Sequence, residues 1–428
     1  MSEYVIQGSG GFSGSVRISG NKNAALPCLA ASLLTDGTVT ISNLPMIQDV
    51  RVMMRLLEEL GSEVVPMGDG SCHIHSDIHF SGLTPSLVDS VRGSILFAGP
   101  LLARGVSLVI PPPGGDVIGL RRLDSHFTGL SALGVECTVR PDGNLEMKPH
   151  GRLKAADIFL DEASVTATEN VIMASSLADG VSTIYNAACE PHVQNLCHML
   201  VAMGCPIEGI GSNHLTVHGQ DSLSGCRHSL CFDYMECGSF IGLAACTHSS
   251  LTLTNVDVSQ LRPIENGFLK LGIRFEKGED SIHVPREQER RIVRTYSGLT
   301  DKLDDGPWPG FPADLLSIMC VTASQMEGSI LIHEKMFESR MFFIDYLIRM
   351  GADIILCDPH RAVVRGRSIL KGRHVISPDV RAGMALVVAA LSAEGESVIS
   401  NIEQIERGYD HLLDKLVAIG ASIRRNEH

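Results

Sequence analysis

One segment recurs six times along this chain: an amphipathic helix that stops at a glycine and runs into a short β-type stretch. The copies span 50–61, 124–134, 193–204, 264–272, 342–351 and 409–420. In the first copy Val52, Leu56, Leu57 and Leu60 fall on one helical face, the spacing of a helix with one buried side. The closing residues are Gly61, Gly134, Gly204, Gly272, Gly351 and Gly420, set 68 to 79 residues apart. A glycine there suits a left-handed helix end. A second helix precedes each copy, and five of these close on Gly37, Gly105, Gly180, Gly328 and Gly395. The fourth, around 233–248, has no such glycine. Strand-like runs at 38–42, 182–185, 251–254, 329–333 and 397–400 lie between the two helices. The unit is helix, strand, helix, strand and a further strand. Six units of about 70 residues exceed the roughly 20–50 residues of solenoid repeats, so the expectation is an α/β fold of two pseudo-threefold domains.

Composition narrows the functions open to such a fold. Hydrophobic residues make up 44% and charged residues 20% of the 428, the balance of a globular protein. The longest apolar runs stop near ten residues, short of the ~20 that span a bilayer, and no signal peptide is visible, so a cytoplasmic protein without membrane partners is expected. A net charge of −14 argues against binding nucleic acid by phosphate neutralisation. It leaves room for a small anionic substrate held by a few arginines in a cleft. The 12 cysteines include no C-x-x-C pair and read as small core residues in a reducing compartment. No Rossmann, P-loop or nucleophile-elbow motif is present, and no metal-ligand spacing, so neither cofactor nor metal is expected. The sequence sets no oligomeric state.

If six units share one scaffold, residues that break the pattern are the functional candidates. Lys22, in Ser19-Gly-Asn-Lys-Asn-Ala24, sits at a helix start, where the backbone already favours anions. The segment Pro111-Pro-Pro-Gly-Gly-Asp116-Val-Ile-Gly119-Leu-Arg121-Arg122-Leu-Asp124 joins a stiff proline arm to a glycine hinge. It suits a lid near 111–122 that carries an acid, Asp116, toward a ligand. The segment Asp304-Asp-Gly-Pro-Trp308-Pro-Gly-Phe-Pro-Ala-Asp314 suits a rigid ligand wall with a general base, Asp314. An ordinary helix-start carboxylate reads equally well there. Arg92, Arg340, Arg381 and Arg407 all fall where a helix is expected to begin. The helix dipole disfavours cations at that end, so four of them point to a shared anion. Ser164, Val165 and Thr166 open another helix with hydroxyls and backbone N–H groups.

Taken together, Ser19-Gly-Asn-Lys-Asn-Ala-Ala-Leu-Pro27, Pro113-Gly-Gly-Asp-Val-Ile-Gly119, Ser164-Val-Thr-Ala-Thr-Glu-Asn170, Pro309-Gly-Phe-Pro-Ala-Asp314 and Glu406-Arg-Gly-Tyr-Asp410 resemble the enolpyruvyl transferases nearly end to end. The resemblance implies a two-domain inside-out α/β barrel of six βαβαββ units. The implied domains are 22–231, and 1–21 with 232–428. It implies transfer of the enolpyruvyl group of phosphoenolpyruvate to the 3-hydroxyl of UDP-N-acetylglucosamine, with release of phosphate, a step of peptidoglycan synthesis. By that likeness Lys22, Arg121 and Arg407 hold phosphoenolpyruvate, and Arg92, Arg340 and Arg381 support them. Asp314 is the general base and Asp116 the acid. Asn23, Arg121, Arg122, Leu123, Asp124, Ser164, Val165 and Thr166 bind the sugar nucleotide.

The chain also departs from the family pattern. Asp116 stands where most relatives have a cysteine, the thiol that the epoxide phosphonate fosfomycin alkylates. Arg122 replaces a proline, Thr166 a glycine, Tyr234 an arginine and Trp308 a histidine. These changes open a second reading, an enolpyruvyl transferase with a different nucleotide or sugar acceptor. A non-catalytic nucleotide-binding paralogue is a third, disfavoured because Lys22, Asp314 and Arg407 are all present. The sister enzyme acting on shikimate 3-phosphate would want serine at Asn23 and a Gly-Asn-Ala-Gly-Thr motif, and neither is found.

Overall fold

A computed structural model describes residues 2–79, 82–114 and 122–427. The chain divides into two compact units: a first of 20–114 with 122–231, and a second of 2–19 with 232–427. Gly20 and Asn21 go with the first unit. Asn21 caps its opening helix, and the Asn21 N–H donates to the Cys231 carbonyl at 2.8 Å.

Six sheets are present among the described residues, three in each unit. The third repeat shows the pattern. Asp157–Phe159 lies parallel to Val181–Tyr185, which pairs antiparallel with His214–His218, which in turn pairs with Ile207–Glu208. Helices Val165–Ser175 and Pro191–Ala202 fill the connections. The fifth repeat is the same, with Lys302–Asp304, Gly328–His333, Arg361–Gly366 and Asp353–Asp358 in spatial order. Three repeats borrow strands; in the fourth, Ser13–Arg17 lies parallel to Ser250–Thr254. Arg227–Ser229 lies beside Val39–Ser42 of the first repeat. Ser2–Gln7 fills the slot between Glu396–Ser400 and Ser422–Glu427 in the sixth. The second repeat has three strands, Leu108–Ile110, Leu145–Pro149 and Val135–Val139.

The two helices of a repeat differ because their sequences differ. Gln48–Glu59 is amphipathic and lays Val52, Met53, Leu56 and Leu57 inward. Tyr234–Thr247, Leu316–Ser324 and Val380–Ser392 are apolar nearly all round and buried along their lengths, as such helices must be. These three pack on one another at the centre of the second unit, with the sheets outside. In the first unit Lys22–Ala31, Val165–Ser175 and the run Arg92–Phe97 into Ala98–Ala103 do the same. Close approach needs small residues. A Cβ on Gly242 would lie 2.4 Å from Ile318 Cγ2 of the neighbouring helix.

All six glycines that close the amphipathic helices have positive φ, from +72° to +112°. In the fourth repeat, where the preceding helix lacks its glycine, His248 takes the left-handed position itself, at φ +55°. Gly37 is different. Its helix ends in the 3₁₀ turn Ser32–Leu34, and a Cβ on Gly37 would lie 2.5 Å from Gly225 N. Its glycine serves close approach, not a left-handed turn.

One repeated device was not expected. After the central strand of four repeats stands an asparagine with positive φ: Asn43, Asn186, Asn255 and Asn401. Each Nδ2 donates to the carbonyl at the end of the parallel neighbour strand or just beyond it, on Leu230, Leu160, Ile18 and Ser377. Asparagine tolerates this conformation because its short side chain bonds locally. The other two repeats have Pro111 and Glu334 at that place.

Candidate active site

The starts of the buried helices carry most of the candidate residues. In the first unit Lys22 is the first residue of Lys22–Ala31, whose N-cap Asn21 accepts from Asn23 N and Ala24 N at 2.8 and 3.1 Å. Its ammonium is buried and pairs with Asp49 at 2.7 Å. Asp49 belongs to the amphipathic helix of the same repeat and is itself only 4% exposed. Asn23 is half-buried beside it. Arg92 opens the turn Arg92–Phe97 and reaches the Pro113 carbonyl. Ser164 caps Val165–Ser175, its Oγ accepting from Ala167 N. The Val165 and Thr166 N–H groups lie in the first turn, where no carbonyl four residues back can take them. Thr166 Oγ1 lies 3.1 Å from Nε2 of the buried His126. Arg122 and Asp124 are exposed, and Leu123 precedes the helix Asp124–Ala132.

In the second unit Asp314 lies in the turn Ala313–Leu315, ahead of Leu316–Ser324, and caps nothing. Instead its Oδ1 pairs with Arg340 Nη2 at 2.6 Å and its Oδ2 with Arg381 Nε at 3.0 Å. Burial pushes the Asp314 carboxyl up, but the two guanidiniums outweigh it and hold it well below the usual carboxylate range. Arg381 is the second residue of Val380–Ser392, capped by Asp379, and its guanidinium lies 5.3 Å over the Tyr409 ring. Arg340 lies 4.6 Å over Phe337. Arg340 Nε and Arg381 Nη1 are buried without a hydrogen-bond partner. A small pocket beside them is lined by Ser317, Glu334, Asp379 and the two arginines. Neither Ala313 nor Asp314 shares a helix with Arg340 or Arg381, so this cluster is a product of packing.

Glu334, which breaks the asparagine pattern, is fully buried, and its Oε1 accepts from Met336 N and Phe337 N. Burial first and the neighbouring Asp305 next push its carboxyl up to about 9. Asp305 accepts from Lys335 N at 2.6 Å. The two acids thus clamp the turn that leads to Arg340.

Several expectations change. Arg407 does not open a helix; it closes the short helix Glu403–Glu406 and lies 3.5 Å from Gln404 Oε1. Arg340 precedes Ile344–Met350 by four residues. Tyr234 and Trp308, both departures from the family pattern, pack on each other with ring centroids 5.5 Å apart. Asp116 and Arg121 lie outside the described residues, as does the whole segment 115–121. Sequence reasoning missed Asp49, His126, Asp305 and Glu334. Asp49 carried a signal, since an acid one turn before Val52 and Met53 points inward with them. All twelve cysteines are free thiols, and eight of them are buried. No helix among the described residues is long and apolar enough to cross a membrane.

Comparison with known proteins identifies the family. The sequence profile of EPSP synthase (3-phosphoshikimate 1-carboxyvinyltransferase) matches residues 6–416. The chain is 54% identical to the UDP-N-acetylglucosamine 1-carboxyvinyltransferase of Treponema pallidum (strain Nichols), over 99% of both chains. It is 49% identical to the enzyme of that name from Bradyrhizobium diazoefficiens, over 99% of this chain and 98% of the other. Among solved structures, the enolpyruvyl transferase NikO from Streptomyces tendae shares the fold with a TM-score of 0.87 at 21% identity, covering 99% of each chain. EPSP synthase from Acinetobacter baumannii does so at 0.77 and 17%, covering 100% of each. Both solved structures carry the two-domain α/β architecture, and by profile and full-length identity this chain belongs to the EPSP synthase family of enolpyruvyl transferases.

Proposed function

We propose that this protein transfers the enolpyruvyl group of phosphoenolpyruvate to the 3-hydroxyl of UDP-N-acetylglucosamine and releases phosphate. The observation that supports it most is a carboxylate, Asp314, held between two arginines that keep buried N–H groups unpaired. Such a cluster is built to receive an anion. Full-length identity of 54% to an enzyme of that activity supports the choice of acceptor.

In this reading Lys22, Arg121 and Arg407 take the phosphate and carboxylate of phosphoenolpyruvate, supported by Arg92, Arg340 and Arg381. Asn23, Arg122, Leu123, Asp124 and Ser164–Thr166 hold the sugar nucleotide. Asp314 in the free protein is too well neutralised to be a strong base. When a substrate anion shares Arg340 and Arg381, the positive field they exert on Asp314 falls and its proton affinity rises. Asp314 then takes the proton of the 3-hydroxyl as that oxygen bonds to carbon 2. Asp116, protonated, gives its proton to carbon 3. The resulting ketal returns the carbon 3 proton and expels phosphate from carbon 2, restoring the double bond. Asp116 needs a raised pKa for this, because an ordinary aspartate near 3.9 is ionised at neutral pH. The proposed setting is the cytoplasm, in peptidoglycan synthesis, with small molecules as the only partners.

The different-acceptor reading loses ground with Tyr234 and Trp308, since each change accommodates the other. Arg122 and Thr166 remain. Phosphate release from phosphoenolpyruvate with a panel of acceptors tests both readings. Turnover is expected with UDP-N-acetylglucosamine at ordinary micromolar-to-millimolar KM. Turnover only with another nucleotide, or with shikimate 3-phosphate, would overturn the proposal.

A further inference from the structure

The segment that carries Arg407 is pinned on both sides. Before it, Glu406 accepts from the Tyr4 hydroxyl at 2.8 Å and from Arg425 Nη1 at 3.0 Å. After it, Gly408 lies against the start of the helix Val380–Ser392, where a Cβ would come within 2.1 Å of Val380 Cγ1. A side chain there would push the segment away. Tyr409 follows and is buried. Its ring lies beneath the Arg381 guanidinium, whose carbon is 5.3 Å from the ring centre. That is within reach of the attraction between a cation and an aromatic face, which strengthens away from water. Arg381 is itself only 6% exposed.

The Tyr409 hydroxyl has a direction that can be assigned. It lies 3.0 Å from Ser239 Oγ. Ser239 Oγ donates its one hydrogen to the Met235 carbonyl at 2.8 Å. Tyr409 is therefore the donor between the two hydroxyls. The phenol keeps that hydrogen, because burial pushes its pKa up against the pull of Arg381. Tyr409 is thus fixed at its tip to the buried helix Tyr234–Thr247, and its face is turned to Arg381. One neutral side chain joins the segment of Arg407 to the helix that bears Arg381.

Arg381 has a second hold, the 3.0 Å bond from its Nε to Asp314 Oδ2. The two holds differ in kind. The ion pair weakens whenever Asp314 gains a proton or a substrate anion draws Arg381 away. The ring is neutral throughout, and its attraction does not change. We infer that Tyr409 is a positioning residue that keeps the Arg381 guanidinium in place while its bond to Asp314 loosens, and that holds it in register with Arg407. This rests on the reading above, in which Asp314 is the base and both arginines serve phosphoenolpyruvate.

The test is steady-state phosphate release, read as a split between kcat and KM. Tyr409→Leu removes ring and hydroxyl and should lower kcat/KM for phosphoenolpyruvate about ten- to hundredfold, with much of the loss in kcat. Tyr409→Phe restores the ring and should recover all but about two- to tenfold, the worth of one neutral hydrogen bond. In an Arg381→Ala background the same two variants should hardly differ, because the ring has no guanidinium to hold. An equal ratio of the two variants in both backgrounds would overturn the inference. Phenylalanines bearing one, two and three ring fluorines at position 409 keep the shape while draining the negative face of the ring. Both kcat/KM and the denaturant midpoint should fall step by step along that series, even if Tyr409→Leu does not fold. A flat series would overturn the inference as well. Failure of the wild type to turn over phosphoenolpyruvate with UDP-N-acetylglucosamine would instead refute the functional reading, and the denaturant series would still read the hold on Arg381.

Discussion

The same repeat builds both units, yet each buries a different ion pair at its helix starts. In the first unit one cation, Lys22, faces one anion, Asp49, and the charges cancel. In the second, one anion, Asp314, faces two cations, Arg340 and Arg381, and a positive charge is left over. The scaffold is thus indifferent to charge; the helix starts are simply where side chains of several elements meet. The surplus in the second unit is a standing demand for an anion, and it also suppresses the basicity of Asp314. The balanced pair in the first unit orients Lys22 without leaving it starved of a partner.

The sharpest way to break this comparison is to neutralise each acid. Asp314→Asn should lose about two to four orders of magnitude in turnover, the usual worth of a general base. It should also destabilise the fold by about 3–5 kcal/mol, since two buried guanidiniums lose their anion. Asp49→Asn should keep chemistry largely intact and act on phosphoenolpyruvate KM, because Lys22 loses its orientation, not its charge. Steady-state phosphate release and denaturant midpoints check both. Equal losses of kcat in the two variants would erase the proposed division of roles.

If Asp314 takes the hydroxyl proton, the carbon proton must come from elsewhere, and Asp116 is the proposed source. Asp116→Asn should cost a similar two to four orders of magnitude in turnover. Asp116→Cys should keep activity and create sensitivity to the epoxide phosphonate, because a thiolate attacks an epoxide far better than a carboxylate does. The wild type should resist it. Time-dependent inactivation of the wild type, with an adduct on residues 111–122, would show that this acid is not the reason for resistance.

These clusters were only partly legible in the sequence. The six repeats were, because a left-handed helix end favours a residue without a Cβ, and that preference prints a glycine at a regular interval. The exception follows the same logic: His248 adopts the left-handed turn and bonds to Arg290, so no glycine marks the fourth repeat. Residue types at the helix starts were legible too. Their pairings were not. Asp314 meets Arg340 and Arg381 across 26 and 67 residues, and sequence spacing carries no information on how distant helices turn toward each other. Arg407 was misplaced because a four-residue helix ending there leaves no periodic trace. The four asparagines after the central strands were readable in principle by superposing the repeats on one another. Doing so also singles out Glu334 and Pro111 as the two breaks.

Glu334 gives the smallest and most specific test of the contrast between the units. Its carboxyl is pushed up to about 9 by burial and by Asp305, whereas an unfolded glutamate titrates near 4.3. Between those values the native chain holds a proton that the unfolded chain releases. Native stability therefore falls as pH rises through this window, by up to about 1.4 kcal/mol per pH unit for one proton. Glu334→Gln has the shape of the protonated acid. Its amide can donate to Asp305 while its oxygen still accepts from Met336 and Phe337. The variant should match the wild type near pH 5 and exceed it increasingly at pH 7 and 8. Asp314 has the opposite sign: its depressed carboxyl stabilises the fold above about pH 3.9 and loses that contribution only as pH falls below it. Denaturant midpoints of the wild type, Glu334→Gln and Asp314→Asn from pH 3 to 8 separate the two effects. Parallel curves for Glu334→Gln and wild type from pH 5 to 8 would mean that Glu334 is ionised in the native chain, and that Arg340 serves it as well as Asp314. The second unit would then hold balanced charge like the first, and its leftover demand for an anion would vanish.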